Sequence, residues 1–91
     1  MSANVLRTRL RKCRLDAGLS QVQVAHILKL KTPTSLSRWE KGERLPSLDR
    51  CLDLAAVYHR LVEDLLFPMY ASARSRIHRR KLFLSRNARV R

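Results

Sequence analysis

Thr34, Ser35 and Arg38 lie in one short run, Thr32-Pro33-Thr34-Ser35-Leu36-Ser37-Arg38-Trp39. If the run is helical, Leu36 and Trp39 are three apart and point into a core, leaving Thr34, Ser35, Ser37 and Arg38 facing outward. In a DNA major groove, short hydroxyl side chains hydrogen-bond base edges and meet thymine methyls. An arginine there takes guanine O6 and N7 together. Plainer readings stand beside this one: local capping for Thr34 and Ser35, and a solvated or phosphate-bound guanidinium for Arg38. Base reading requires a helix that offers its N-terminal half to the groove, held there by a second helix.

The flanking sequence supplies both helices. Ser20 and Gln23 are spaced for a capping box, and Leu19 and Val24 for the hydrophobic staple around it, so one helix starts at Ser20. Val24, Ile27 and Leu28 recur at helical spacing, with Ala25 as a small-residue gap for close approach. Thr32 as N-cap and Pro33 as first helical residue predict the start of the next helix. Gly42 is placed to end it in a left-handed C-cap, and Lys41, Arg44 and Pro46 form a short basic loop that cannot continue it. Gln21, at the first position of its helix, can bind a phosphate together with the free N–H groups there. Lys41 and Arg44 are placed to grip the backbone on the other side, or simply to solubilise the loop.

Leu19-Ser20-Gln21, the block Leu36-Ser37-Arg38-Trp39-Glu40-Lys41-Gly42 and Pro46 together resemble the Cro/CI-type, or XRE-like, helix-turn-helix family. With the Leu-Arg-Lys-Cys-Arg run near the start and the Leu/Ala pattern of Ser47 to Leu66, the resemblance covers about three quarters of the chain. It implies an all-α, five-helix lambda-repressor-like domain, and it adds Pro33 to the base-reading positions. It also implies that Gln21 contacts a phosphate and that Glu40 pairs with Arg14 of the first helix as a structural ion pair. Two positions depart from the family pattern. Lys29 stands where the turn usually has glycine, with one residue more between Ala25 and Trp39, and His59 replaces a second glycine between the fourth and fifth helices.

The remaining elements follow from periodicity and capping. A first helix from about Asn4 to Ala17 places Leu6, Leu10, Cys13 and Ala17 on one face and ends at Gly18. A fourth starts at Ser47 with Asp49 near the positive end of its dipole, and buries Leu48, Cys51, Leu52, Ala55 and Tyr58. A fifth spans about Leu61 to Leu66 and stops before Pro68. These make a helix-turn-helix domain over 1–70. The basic C-terminal tail, 71–91, is left open between an extra helix, an interface element and a disordered arm. Leu66, Phe67, Met69 and Tyr70 either cap the monomer's core or form a dimer interface, the latter being the region that small family members use to pair.

Composition narrows the function. Of the 91 residues 45% are apolar but only 5% aromatic, which fits a helical bundle rather than a sandwich. The tail holds eight Arg or Lys and no acid, against twelve bases and seven acids before it, so +8 of the net +13 lies there. Such a chain is drawn to polyanions, with steep salt dependence. Cys13 and Cys51 read as core thiols, and with His26, His59 and His78 they lack zinc-site spacing, so no metal and no cofactor are expected. Asp16, Asp49, Asp53, Glu63 and Asp64 are dispersed and no catalytic constellation is visible, which argues against an enzyme or a small-molecule substrate. No bilayer-length apolar run or signal-peptide pattern appears, so the expected location is cytoplasmic, on the nucleoid. The expected activity is that of a sequence-specific double-stranded DNA-binding transcriptional regulator, a dimeric repressor on an inverted repeat. The alternative is an antitoxin or adaptor of the same fold that binds a protein partner through the basic tail.

Overall fold

The computed structural model describes residues 8–88. In that span the chain forms α1 (Leu10–Asp16), α2 (Gln21–Ile27), α3 (Thr34–Lys41), α4 (Leu48–Tyr58), α5 (Val62–Leu65) and α6 (Phe67–Ala88), with no strand among the described residues. The fold is all-α. Leu10 and Cys13 of α1, Val24 and Leu28 at α2, Leu36 and Trp39 of α3, Leu54 and Tyr58 of α4, and Leu65 of α5 close one core, with Leu19, Leu30, Ala55, Val57 and Leu66 packed on it. Complete burial of side chains such as Leu10, Leu36, Leu54 and Leu65 contributes about 1.5–3 kcal/mol each.

Local chemistry sets the element ends. Ser20 Oγ accepts from Gln23 N at 3.0 Å while Gln23 Oε1 accepts from Ser20 N at 2.8 Å, so α2 starts on a complete capping box. Thr32 Oγ1 accepts from Thr34 N at 3.3 Å, and α3 begins at Thr34, one residue later than the Pro33 start expected. Ser47 Oγ accepts from Arg50 N and caps α4. Gly18 and Gly42, at φ 74° and 76°, leave α1 and α3 in the left-handed conformation. Lys29 (φ 60°) and His59 (φ 55°) adopt it at the ends of α2 and α4 without glycine's freedom.

Several expectations need correction. The first helix starts at Leu10, because Thr8 and Arg9 are not helical, while Asn4 and Leu6 lie outside the described residues. Ala17 is exposed, since the chain already turns away at Gly18. Ile27 (52% exposed), Leu48 (71%) and Leu52 (53%) face away from the core. In α4 the buried row is Cys51, Leu54 and Tyr58, spaced by three and four, and Leu48 and Leu52 lie on a neighbouring row turned to solvent. Among the described residues six helices replace the expected five. Pro68 does not stop the chain, because it sits in the first turn of α6, where its missing N–H costs no helical bond. The tail is helical to Ala88, and Arg89, Val90 and Arg91 lie outside the described residues.

His59 is exposed and keeps its backbone bonds whatever its side chain, so His59→Gly relieves left-handed strain and adds about 0.5–1 kcal/mol net of the unfolded chain's extra freedom. A rise of several degrees in the thermal midpoint checks this. Burial pushes the Cys13 and Cys51 thiols above 9.0 and the Tyr58 phenol above 10.0. With folded values raised, the unfolded chain loses these protons first. Stability from them is complete below pH 9 and falls as pH rises beyond it, which urea midpoints at pH 7 and pH 10 will show.

Candidate nucleic-acid interface

One carboxylate joins the first three helices. Glu40, in the last turn of α3, accepts from Arg14 Nε at 2.6 Å through Oε2, and from Arg14 Nη2 at 3.1 Å and Gln21 Nε2 at 2.9 Å through Oε1. Arg14 Nη1 also donates to Leu19 O at 2.9 Å, holding the α1–α2 link. Both ionic side chains are nearly closed off from water, 9% exposed for Arg14 and 3% for Glu40. Arg14 is held further above the ordinary arginine value, chiefly by its hydrogen bond to Glu40. The two-point guanidinium geometry is directional as well as strong. It fixes the angle between α2 and α3 and neutralises the one acid of α3.

A second tether holds the turn. Arg50 Nη1 of α4 donates to Leu28 O at 3.0 Å, satisfying an end carbonyl of α2, and rests 3.6 Å from Asp53. Arg60 and Asp16 pair at 3.1 Å, joining the end of α1 to the α4–α5 connection.

On this frame the polar face of α3 is presented to solvent. Thr34, Ser35 and Arg38 are exposed and Pro33 is half-buried at the helix start. Ser37, expected to face outward, is half-buried. Thr34 Oγ1 accepts from the Thr32 hydroxyl at 3.0 Å, which leaves the Thr34 O–H as a donor for another group. Lys41 and Arg44 are exposed, and Arg38, Lys41 and Arg44 have no ion-pair partner among the described residues. Ser35, Arg38, Trp39, Arg44, Ser47 and Arg50 line an open cleft between α3 and the start of α4. Three guanidinium-bearing residues therefore flank one groove beside a helix N-terminus, an arrangement suited to a phosphodiester backbone.

Ser47 and Arg50 were not among the sequence-derived contacts. Ser47 was legible only as a cap; the signal for Arg50 was an arginine in the first turn of a helix that directly follows a basic loop. Gln21 starts α2 as expected, but one of its two amide hydrogens is committed to Glu40, leaving the other for an external acceptor. Among the residues considered for pairing, Leu66 packs on the core. Phe67 lies under the Arg9 guanidinium at 4.7 Å, Met69 is half-buried and Tyr70 is 39% exposed beside Arg74. No cluster of three or more metal-binding side chains occurs among the described residues, and no described helix is long and apolar enough to cross a membrane.

A helix-turn-helix family model matches residues 10–65, more than half of the chain and the whole of α1 to α5. No curated protein and no solved structure matches.

Glu40→Ala leaves the Arg14 guanidinium buried without its counter-charge and removes the acceptor for Gln21. A loss of about 3–5 kcal/mol is expected from urea unfolding. Replacing both partners together should cost less than the sum of the single changes, as a double-mutant cycle will read.

Proposed function

The chain belongs to the Cro/CI-type, XRE-like helix-turn-helix family of DNA-binding regulators, and from that membership we propose that it is a sequence-specific transcriptional repressor acting as a homodimer on an inverted-repeat operator. The observation that carries this reading is the solvent-facing row of Thr34, Ser35 and Arg38 at the N-terminal half of α3, bordered by the exposed Lys41 and Arg44. Arg38 takes a guanine through O6 and N7, Thr34 and Ser35 meet neighbouring base edges, and Pro33 contacts a base methyl. Gln21 bridges a phosphate and Glu40, while Lys41, Arg44 and Arg50 grip the backbone beyond the recognition helix.

Pairing supplies what a single domain lacks. One such head covers only a few base pairs, and two heads related by a two-fold axis read half-sites one duplex turn apart. Phe67, Met69 and Tyr70, only partly covered at the start of α6, form the pairing surface in this reading, with Leu66 behind them. In this reading the chain acts in the cytoplasm, on the nucleoid.

Selection from a random duplex pool at physiological salt tests the proposal. Enrichment of an inverted repeat is expected, and Arg38→Ala should relax one position per half-site at a cost of about 1–3 kcal/mol. Lys41→Ala and Arg44→Ala should weaken all sequences alike and each lower the salt slope by about 1. If no motif is enriched and binding disappears as salt rises, the sequence-reading function is wrong.

A further inference from the structure

The helix α6 is long, exposed and one-sided in charge, and the recognition surface makes no use of it. It packs on α5 at its base, where Tyr70 N donates to Leu66 O at 2.8 Å, and from Ser72 on every residue with a described side chain is exposed except Ala73. Arg74, Arg76, Arg79, Arg80, Lys81 and Arg86 are its charges, and it contains no acid. Arg76 and Arg80, four apart, repel one another, so a helix with this composition gains little from its own side chains.

The apolar residues are not scattered at random. Tyr70, Ala73, Ile77 and Leu84 recur at three-, four- and seven-residue spacing and make one narrow strip. Tyr70, Ala73 and Ile77, with Arg74, His78 and Lys81, line a shallow groove along it. Tyr70 is 39%, Ile77 41% and Leu84 67% exposed, so the strip is open to solvent. In the same three-four repeat Arg80 takes the position between Ile77 and Leu84, so a cation interrupts the strip there, while Arg74 and Lys81 run along one border.

This pattern selects among occupants by charge. A second copy of α6 would set arginine and lysine against arginine and lysine along the strip's border and at Arg80, with no carboxylate to compensate. A lipid surface needs one broad apolar face, whereas the successive Leu82, Phe83 and Leu84 point to three sides of the helix. A duplex would use the bases and leave the strip uncovered. Moreover, α6 leaves the core beside Arg9, at the opposite end of α1 from the Arg14–Glu40 pair that holds the reading helix.

We propose that α6 beyond Tyr70 is a docking helix for an acidic amphipathic helix of another protein, which covers the Ala73–Ile77–Leu84 strip, leaves Tyr70 to the pairing surface, and places Glu or Asp side chains against Arg74, Lys81 and Arg80. The two elements make a short heterotypic coiled-coil contact, with affinity from the strip and partner choice from these cations. The site is separate from the DNA-reading face, and its occupation does not depend on that face's function.

The test uses the full chain and a defined probe, a fluorescent helical peptide of four heptads with leucine at the core positions and glutamate at the flanking ones. A second peptide has the same composition but a scrambled order. The patterned peptide is expected to bind at least about tenfold more tightly by anisotropy. Ile77→Asn with Leu84→Asn, which leaves charge unchanged, should abolish that preference without altering duplex DNA binding. Arg74→Gln with Lys81→Gln, which keeps the strip and removes like-charge repulsion, should weaken the patterned peptide and leave duplex binding as it was. Equal binding of the two peptides, or a preference that survives loss of the strip, overturns the proposal. So does a loss of duplex DNA or anionic-vesicle binding in the glutamine variant with peptide binding intact, which would make α6 a polyanion arm.

Discussion

The buried Glu40 carboxylate is the constraint on which the arrangement depends. A single acid in the last turn of α3 receives hydrogen bonds from α1 and from the first residue of α2, while the same arginine of α1 holds the Leu19 carbonyl between them. Three helices of seven or eight residues are too short to be stable alone, and the apolar core that joins them is non-directional. Core packing would tolerate small rotations of α3. Three aimed hydrogen bonds to a desolvated anion would not, and the residues Thr34, Ser35 and Arg38 inherit their orientation from that restraint. The desolvation of the pair opposes its Coulomb gain, so its contribution lies more in geometry than in net stability.

The sequence announced the parts of this design whose signals are local. Ser20 with Gln23, Ser47, Gly18 and Gly42 each act through their own backbone or a neighbour within a few residues, and the ends they mark are found where their chemistry puts them. Faces were less legible. Leu, Val and Ala recur so densely in α4 that two neighbouring rows both look apolar, and only tertiary packing decides that Cys51, Leu54 and Tyr58 are inside while Leu48 and Leu52 are not. Ile27 fails similarly, because α2 ends there and the chain turns at Leu28 and Lys29. Pro68 suits the beginning of a helix as well as the end of one, and here it stands at a beginning. Apart from the Arg14–Glu40 pair, which the family resemblance implies, the long-range contacts left no local trace: nothing near Arg50 in the chain predicts its bond to Leu28, twenty-two residues earlier.

The left-handed residues at Lys29 and His59 show the same division between local preference and tertiary demand. Both turns need positive φ, and in each the backbone bonds around it are made, from Lys29 N and Leu30 N to carbonyls of α2 and from Arg60 N to Ala55 O. The strain is therefore carried by a well-bonded chain, with the Arg50 tether beside the first turn and the Arg60–Asp16 pair beside the second.

The joint between α5 and α6 is a single non-helical residue, Leu66, whose side chain is packed on the core and whose carbonyl receives the Tyr70 N–H. A connection that short leaves almost no slack, so the direction of α6 is set by the core rather than by a flexible linker. Its 22 residues extend about 33 Å at the rise of an α-helix, close to one turn of duplex DNA. The molecule is thus also a ruler, because whatever rests at the far end of α6 stands at a fixed distance and bearing from Thr34, Ser35 and Arg38.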